Sequence, residues 1–142
     1  MKSMLLNAGE RTYAVVFEIG DEFIAGLTGF AKEHNLAASH FTAIGSFSGA
    51  RLGYFQIDRK EFKPIPVNEQ VEVLTLIGNI TLDQGEPKIH AHVVVGRSDG
   101  TTLGGHILEA HVRPTLEVFV VETPNHLQRT YNPDIGLALI SL

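Results

Sequence analysis

The chain of 142 residues contains no cysteine and carries more acid than base, 16 Asp and Glu against 11 Lys and Arg, for a formal charge of −5. Without cysteine there can be no disulfide, no thiolate metal ligand and no thiol nucleophile, and the absence suits a reducing cytoplasm. The acidic balance opposes approach to nucleic acid and to anionic lipid. No apolar run is long enough to span a bilayer. Met1 to Arg11, interrupted by Asn7, Glu10 and Arg11, lacks the apolar core and cleavage site of a secretory leader. A cytoplasmic protein with no membrane partner is the expectation. Charge of both signs is sparse, at 19% of residues, so part of the surface is expected to be covered by another copy of the chain. The one tight group of cations, Arg59, Lys60 and Lys63, alternates with Asp58 and Glu61 and reads as a solvated turn rather than a phosphate-binding patch.

What is present points to a folded, turn-rich chain: 44% hydrophobic residues with 14 glycines and 6 prolines. The length fits one domain spanning 1–142. Tyr13 to Ile19 reads as a strand ended by Gly20. Asp21 is placed to cap a helix in which Phe23, Ile24, Leu27, Phe30 and Ala31 share a face, ending near His34 and Asn35. Gly26 and Gly29 within it predict a close neighbour. Leu36 to Ile44 and Arg51 to Ile57 read as strands separated by a small-residue loop, Gly45 to Gly49. Phe62 to Ile65, bounded by Pro64 and Pro66, reads as an edge arm. Val71 to Gly78 predicts a strand covered on both faces. Ile89 to Val95, Thr101 to Ala110, Thr115 to Glu122 and Leu137 to Leu142 complete the set, broken at Arg97 to Gly100, at Arg113-Pro114 and across a polar stretch from Thr123 to Gly136. The fold class is therefore α+β: a largely antiparallel or mixed sheet of about seven or eight strands with one clear N-terminal helix packed on it.

The chemistry concentrates in three histidines. His90 and His92 flank Ala91 in an extended run, so strand periodicity puts both imidazoles on one face, their Cα atoms roughly 6.5 Å apart. His106 follows Gly104-Gly105. If Asp99-Gly100 forms a two-residue loop, Ser98 pairs with Thr101 and His106 falls on the wrong face. A three-residue loop, or a bulge at Gly104-Gly105, brings His106 across from His92. A third histidine from a neighbouring subunit is the alternative, and three hydrogen-bonded surface imidazoles are the plain reading. Three imidazoles leave an open position of the catalytic kind, and an all-imidazole set favours Zn²⁺. Glu109, two residues beyond Ile107, points away from His106 unless the strand is bulged, and is the candidate general base. Arg113, before Pro114, is a candidate for holding an anionic group in an interfacial pocket, against a simpler salt bridge with Glu109 or Glu117. Gly45 to Gly49 lacks the lysine of a P-loop and the spacing of a dinucleotide-binding turn.

Five segments occur in order: Glu72-Val-Leu-Thr-Leu-Ile-Gly-Asn-Ile80, Gly85-Glu-Pro-Lys-Ile-His-Ala-His92, Asp99-Gly100, Gly104-Gly-His-Ile-Leu108 and Thr115-Leu-Glu-Val-Phe119. With Phe41-Thr-Ala-Ile-Gly45 and Ala50-Arg-Leu-Gly-Tyr-Phe55 upstream, the chain resembles the plant and prokaryote conserved (PPC or PCC) domain over about residues 10 to 122, in its stand-alone prokaryotic form. The resemblance implies an α+β fold assembled as a trimer, with family histidines matching His90, His92 and His106 near a pocket close to subunit contacts. It implies a homotrimeric binding or regulatory module taking a divalent metal or small ligand. The alternatives are a zinc-dependent hydrolase or lyase acting on a small polar or anionic substrate, and a DNA-associated protein. The last is weakened because the chain lacks the Arg-Gly-Arg-Pro hook through which the plant proteins reach the minor groove.

Overall fold

The computed structural model describes residues 1–7 and 10–142, with the side chains of residues 2–9 outside the description. The leaderless reading of Met1 to Arg11 thus includes Ala8 and Gly9, which lie outside the described residues.

Alternation sets the first elements. In β2 (Arg11–Phe17), Tyr13, Val15 and Phe17 are buried at every second position. They meet the apolar face of α1 (Phe23–Glu33), whose Phe23, Leu27, Phe30 and Ala31 are buried. Phe17 approaches Gly26 so closely that a Cβ there would lie 2.6 Å from its ring, while Gly29 faces open space, so only one of the two glycines reports a tight contact. The cap is Glu22 rather than Asp21: its carboxylate accepts from Ala25 N (2.6 Å) and from Ala110 N (3.0 Å), whereas Asp21 accepts from Glu18 N. Glu22 prevails because it satisfies two backbone donors at once, one on the helix and one on a strand.

Among the described residues, one α-helix packs on a nine-stranded, largely antiparallel sheet. The remaining strands are β1 (Lys2–Asn7), β3 (Ala38–Gln56), β4 (Glu61–Val67), β5 (Val71–Asp83), β6 (Glu86–Gly96), β7 (Thr102–Glu122), β8 (Gln128–Asn132) and β9 (Leu137–Ser141). The α+β expectation holds. The only parallel pairing among the described residues is the short contact of β5 with β8. β3 pairs with β5 and β7, and β6 pairs with β5 and β7, so the hydrogen-bonded path through these four strands closes on itself. The core is built from Phe17, Phe23, Phe41, Phe47, Leu52, Leu76, Ile80 and Leu116, all essentially without solvent contact.

Three expectations are corrected. Gly45 to Gly49 is no loop but the middle of β3: Phe47 is fully buried, Ser46 Oγ donates to Val71 O, and the added backbone is absorbed by register shifts against β5 and β7. The proposed break at Arg113-Pro114 is likewise continuous strand, with a cis peptide bond. Between Val112↔Phe47 and Leu116↔Gly45 the ladder is interrupted, so a residue lacking an N–H sits there without losing a bond. In β5, a shift between Val73 and Thr75 turns Leu74 and Ile77 outward and Leu76 inward, so the strand is not covered on both faces. β1 and β8 were not expected; β8 lies in the polar stretch 123–136 and carries no apolar alternation. β4 is the expected edge arm, paired with β3 alone. Among the described residues no helix is long and apolar enough to cross a membrane.

Candidate metal centre and its cavity

Two loops set the pairing of the histidines, one against β5 and one against each other. Between β5 and β6 the chain reverses in two residues, Gln84 and Gly85, both at positive φ, so Asp83 pairs with Glu86 and the ladder runs on to Asn79↔His90 and Ile77↔His92. Between β6 and β7 the reversal takes three residues. Arg97 N donates to Thr101 O (2.8 Å), Gly100 takes φ 82°, and the Asp99 carboxylate accepts from Thr101 N (2.9 Å) and Thr101 Oγ1 (2.6 Å). The αL position demanded by this loop is supplied by glycine at little steric cost. The ladder then runs without interruption from Gly96↔Thr102 to His92↔His106. No bulge forms at Gly104-Gly105 against β6. Those glycines serve a close approach instead: a Cβ on Gly105 would lie 2.8 Å from the Gly53 carbonyl oxygen of β3.

His90, His92 and His106 thus converge from two strands of one chain. Their ring centroids form a nearly regular triangle with sides of 5.1, 5.3 and 5.4 Å. One ligand nitrogen from each lies within 4.8 Å of the others, and the Nε2 atoms of His90 and His92 are 3.2 Å apart. Tetrahedral Zn²⁺ with nitrogen at roughly 2.0–2.1 Å places its ligand nitrogens about 3.3 Å from one another, so this pair is already at coordinating separation. The cluster is capable of coordinating a divalent metal ion. Ala91 and Val93, on the opposite face, are buried and hold β6 in the core. Phe62 of β4 stacks near His106, ring centroids 4.7 Å apart.

Electrostatics keep the donors available. Burial, reinforced by His90, His92 and Lys88, pushes His106 down to about 4. Burial, then Arg129 and His92, lowers His90 as well. Neutral imidazoles present lone pairs at neutral pH, as metal binding requires.

The triangle faces a cavity of about 940 Å³ walled by the β3–β4 hairpin, the β8–β9 hairpin and Ile24 of α1. Phe55, Phe62, Ile107, Leu108, Leu137 and Leu139 make its sides apolar, and its charged lining residues are Lys88, Arg129 and Asp83. Lys88 could have been read from sequence, since it alternates with His90 and His92. Arg129 had no comparable signal. Glu109 is outside this lining: it is half-buried, lies 3.1 Å from His111 Nε2 and accepts from Arg51 Nη2 (3.3 Å), contacts that hold its carboxyl below the usual range. Arg113 is exposed, also outside the lining, and the ion pairs of Glu109 are with Arg51 and His111.

Comparison with known proteins places these features. The model of the Plants and Prokaryotes Conserved (PCC) domain matches residues 6–124. A plant- and prokaryote-conserved protein of Pyrococcus horikoshii superposes with a TM-score of 0.87 at 34% identity, over 93% of this chain and 92% of that one. A metal-containing protein of Archaeoglobus fulgidus gives 0.86 at 29% identity, over 93% and 94%. A candidate DNA-binding protein of Bacteroides thetaiotaomicron gives 0.91 at 30% identity, over 98% and 96%. No curated protein sequence matches the chain significantly.

Proposed function

The chain belongs to the Plants and Prokaryotes Conserved domain family, and on that premise we propose that it is a homotrimeric binding module in which His90, His92 and His106 hold Zn²⁺ at the floor of a small-ligand cavity. The observation that carries the reading is the convergence of three imidazoles, one ligand atom each within 4.8 Å, on one side of that cavity, with burial favouring the neutral form of His90 and His106. The similar Archaeoglobus protein is described as metal-containing, which supports the same assignment here. All-imidazole coordination favours zinc over the oxygen-seeking divalent ions.

The trimer has separate support. Phe119, Thr42 and Ile77 are cross-strand neighbours on the outer face of the sheet, and Phe119 and Ile77 are 50% and 57% exposed, with Ile44 and Leu74 similarly bare. An apolar strip of this kind on a sparsely charged domain fits a subunit contact.

A zinc-dependent hydrolase or lyase is the second reading, favoured by one observation: the histidines occupy one wall of a cavity, leaving coordination positions open toward its interior. A divalent ion held there would supply Lewis-acid activation of water or of a ligand oxygen. Glu109 is not placed to carry a proton for it; Asp83 is the one carboxylate in the lining. DNA association gains nothing from the cations, since Arg59 pairs with Glu61 and Lys60 donates to Pro133 O.

Elemental analysis of tag-free protein, followed by zinc titration of the metal-free form, tests the proposal. One zinc per chain is expected, lost on His92→Ala. Protein that neither retains nor takes up stoichiometric metal would sink it.

A further inference from the structure

Arg129 reaches the cavity from β8 and is held there with unusual economy of donors. Its Nε–H donates to Thr81 Oγ1 (2.6 Å), one Nη2–H to Asn79 Oδ1 (2.7 Å) and one Nη1–H to the Ala138 carbonyl (3.0 Å). A guanidinium has five N–H donors, so one on each Nη is left over. Among the described residues Arg129 forms no salt bridge; Asp83, its register partner, acts on it without forming an ion pair. Asn79 is also the cross-strand partner of His90, which puts the guanidinium beside the histidine triangle on the same face. Lys88 adds a second cation to the lining, next to His90 on β6.

We propose that Arg129, assisted by Lys88, is the anion anchor of the cavity, and that the ligand it takes is a small organic acid: one carboxylate lying between Arg129 and the histidines, with an apolar body against Phe62, Leu108 and Leu137. A half-buried cation positioned by three neutral acceptors and lacking a carboxylate of its own is matched to a planar oxyanion. In a chain of net charge −5, two of the three charged lining residues are cations. Asp83 beside Arg129 disfavours a second negative charge, and Phe55, Phe62, Leu108, Leu137 and Leu139 give the cavity an apolar wall, which selects a monocarboxylate over phosphate. This inference deepens the metal reading above and rests on it for the histidine end of the site.

The probe is sodium benzoate, titrated by calorimetry into the full-length protein in metal-free and zinc-loaded forms, with inorganic phosphate as comparison. Benzoate is expected to bind. Arg129→Gln should retain zinc uptake and weaken benzoate roughly ten- to hundredfold, the loss expected for a charge-assisted hydrogen-bonded pair. Arg129→Lys, with the charge but not the fork, should fall between. Phosphate should bind more weakly than benzoate. Because Arg129 also ties β8 to its neighbours, the wild-type protein supplies a second readout: its Arg129 side-chain N–H resonances should shift with the same dissociation constant. No benzoate binding, affinity indifferent to Arg129, unmoved resonances or tighter phosphate binding would each overturn the proposal. Absence of zinc uptake with Arg129-dependent benzoate binding intact would remove the metal reading alone.

Discussion

His92 and His106 stand directly opposite each other on adjacent antiparallel strands, with ring centroids 5.4 Å apart. The relationship is set by the loop that joins the two strands, beyond the closing pair Gly96↔Thr102, not by the histidines themselves. Gly100, at φ 82°, permits the three-residue reversal, and an L side chain there must adopt left-handed backbone. Gly100→Ala is therefore expected to destabilise the protein by about 1–2 kcal/mol, read as a lower urea midpoint at unchanged slope. An unchanged midpoint would mean that the loop does not pin the register.

Acid should loosen the metal-free protein in a defined window. His106 is held down to about 4 in the folded state against 6.5 for a free imidazole. As pH falls below about 6.5 the unfolded chain takes up a proton that the folded state resists, so stability present above that pH is lost progressively toward about 4. Urea midpoints between pH 7 and pH 4 should decline, and His106→Gln should flatten part of the slope. A pH-independent wild-type midpoint is the contrary outcome.

Zinc affinity should survive into mild acid. Metal binding to ordinary imidazoles is contested by protons below about pH 6.5, whereas burial lowers both His90 and His106 here. Competition with a chromophoric chelator should show zinc still bound at pH 6, and release at the pH of a free imidazole would contradict the burial argument.

Glu22 links two elements through one carboxylate, accepting from Ala25 N at the head of α1 and from Ala110 N on β7. Glu22→Ala should cost about 1–3 kcal/mol by removing a cap and orphaning a strand donor. A loss below about 0.5 kcal/mol, the level of an ordinary surface change, would show that water replaces it.

Light scattering should find three times the 15.5 kDa chain mass. Phe119→Glu, placed in the exposed apolar strip, should lower it to one chain. A monomeric wild-type protein would remove the trimer from the proposal.

Much of the centre was legible because strand periodicity is a strict rule. His90 and His92 had to share a face, and Lys88 with them, whatever the rest of the chain did. His106 hung on loop length, and the sequence signs of the three-residue form, Asp99 followed by Gly100, are equally those of a two-residue hairpin. The Gly104-Gly105 pair suggested a bulge, but its cause is contact with Gly53 on a strand more than fifty residues away, which no local pattern announces. Pro114 misled for a similar reason. A missing N–H is harmless where the ladder is already interrupted, and only the tertiary register reveals the interruption. Arg129 was invisible because β8 is short and polar, and is fixed by side-chain hydrogen bonds rather than by an apolar face.

The central claim is that three histidines of one chain form a metal centre. An anomalous difference map at the zinc edge, from crystals of tag-free protein grown with equimolar Zn²⁺, tests it most directly. One strong peak is predicted among the ring nitrogens of His90, His92 and His106, with the fourth position open to the cavity. No peak there, with the imidazoles hydrogen-bonded to one another instead, would contradict it.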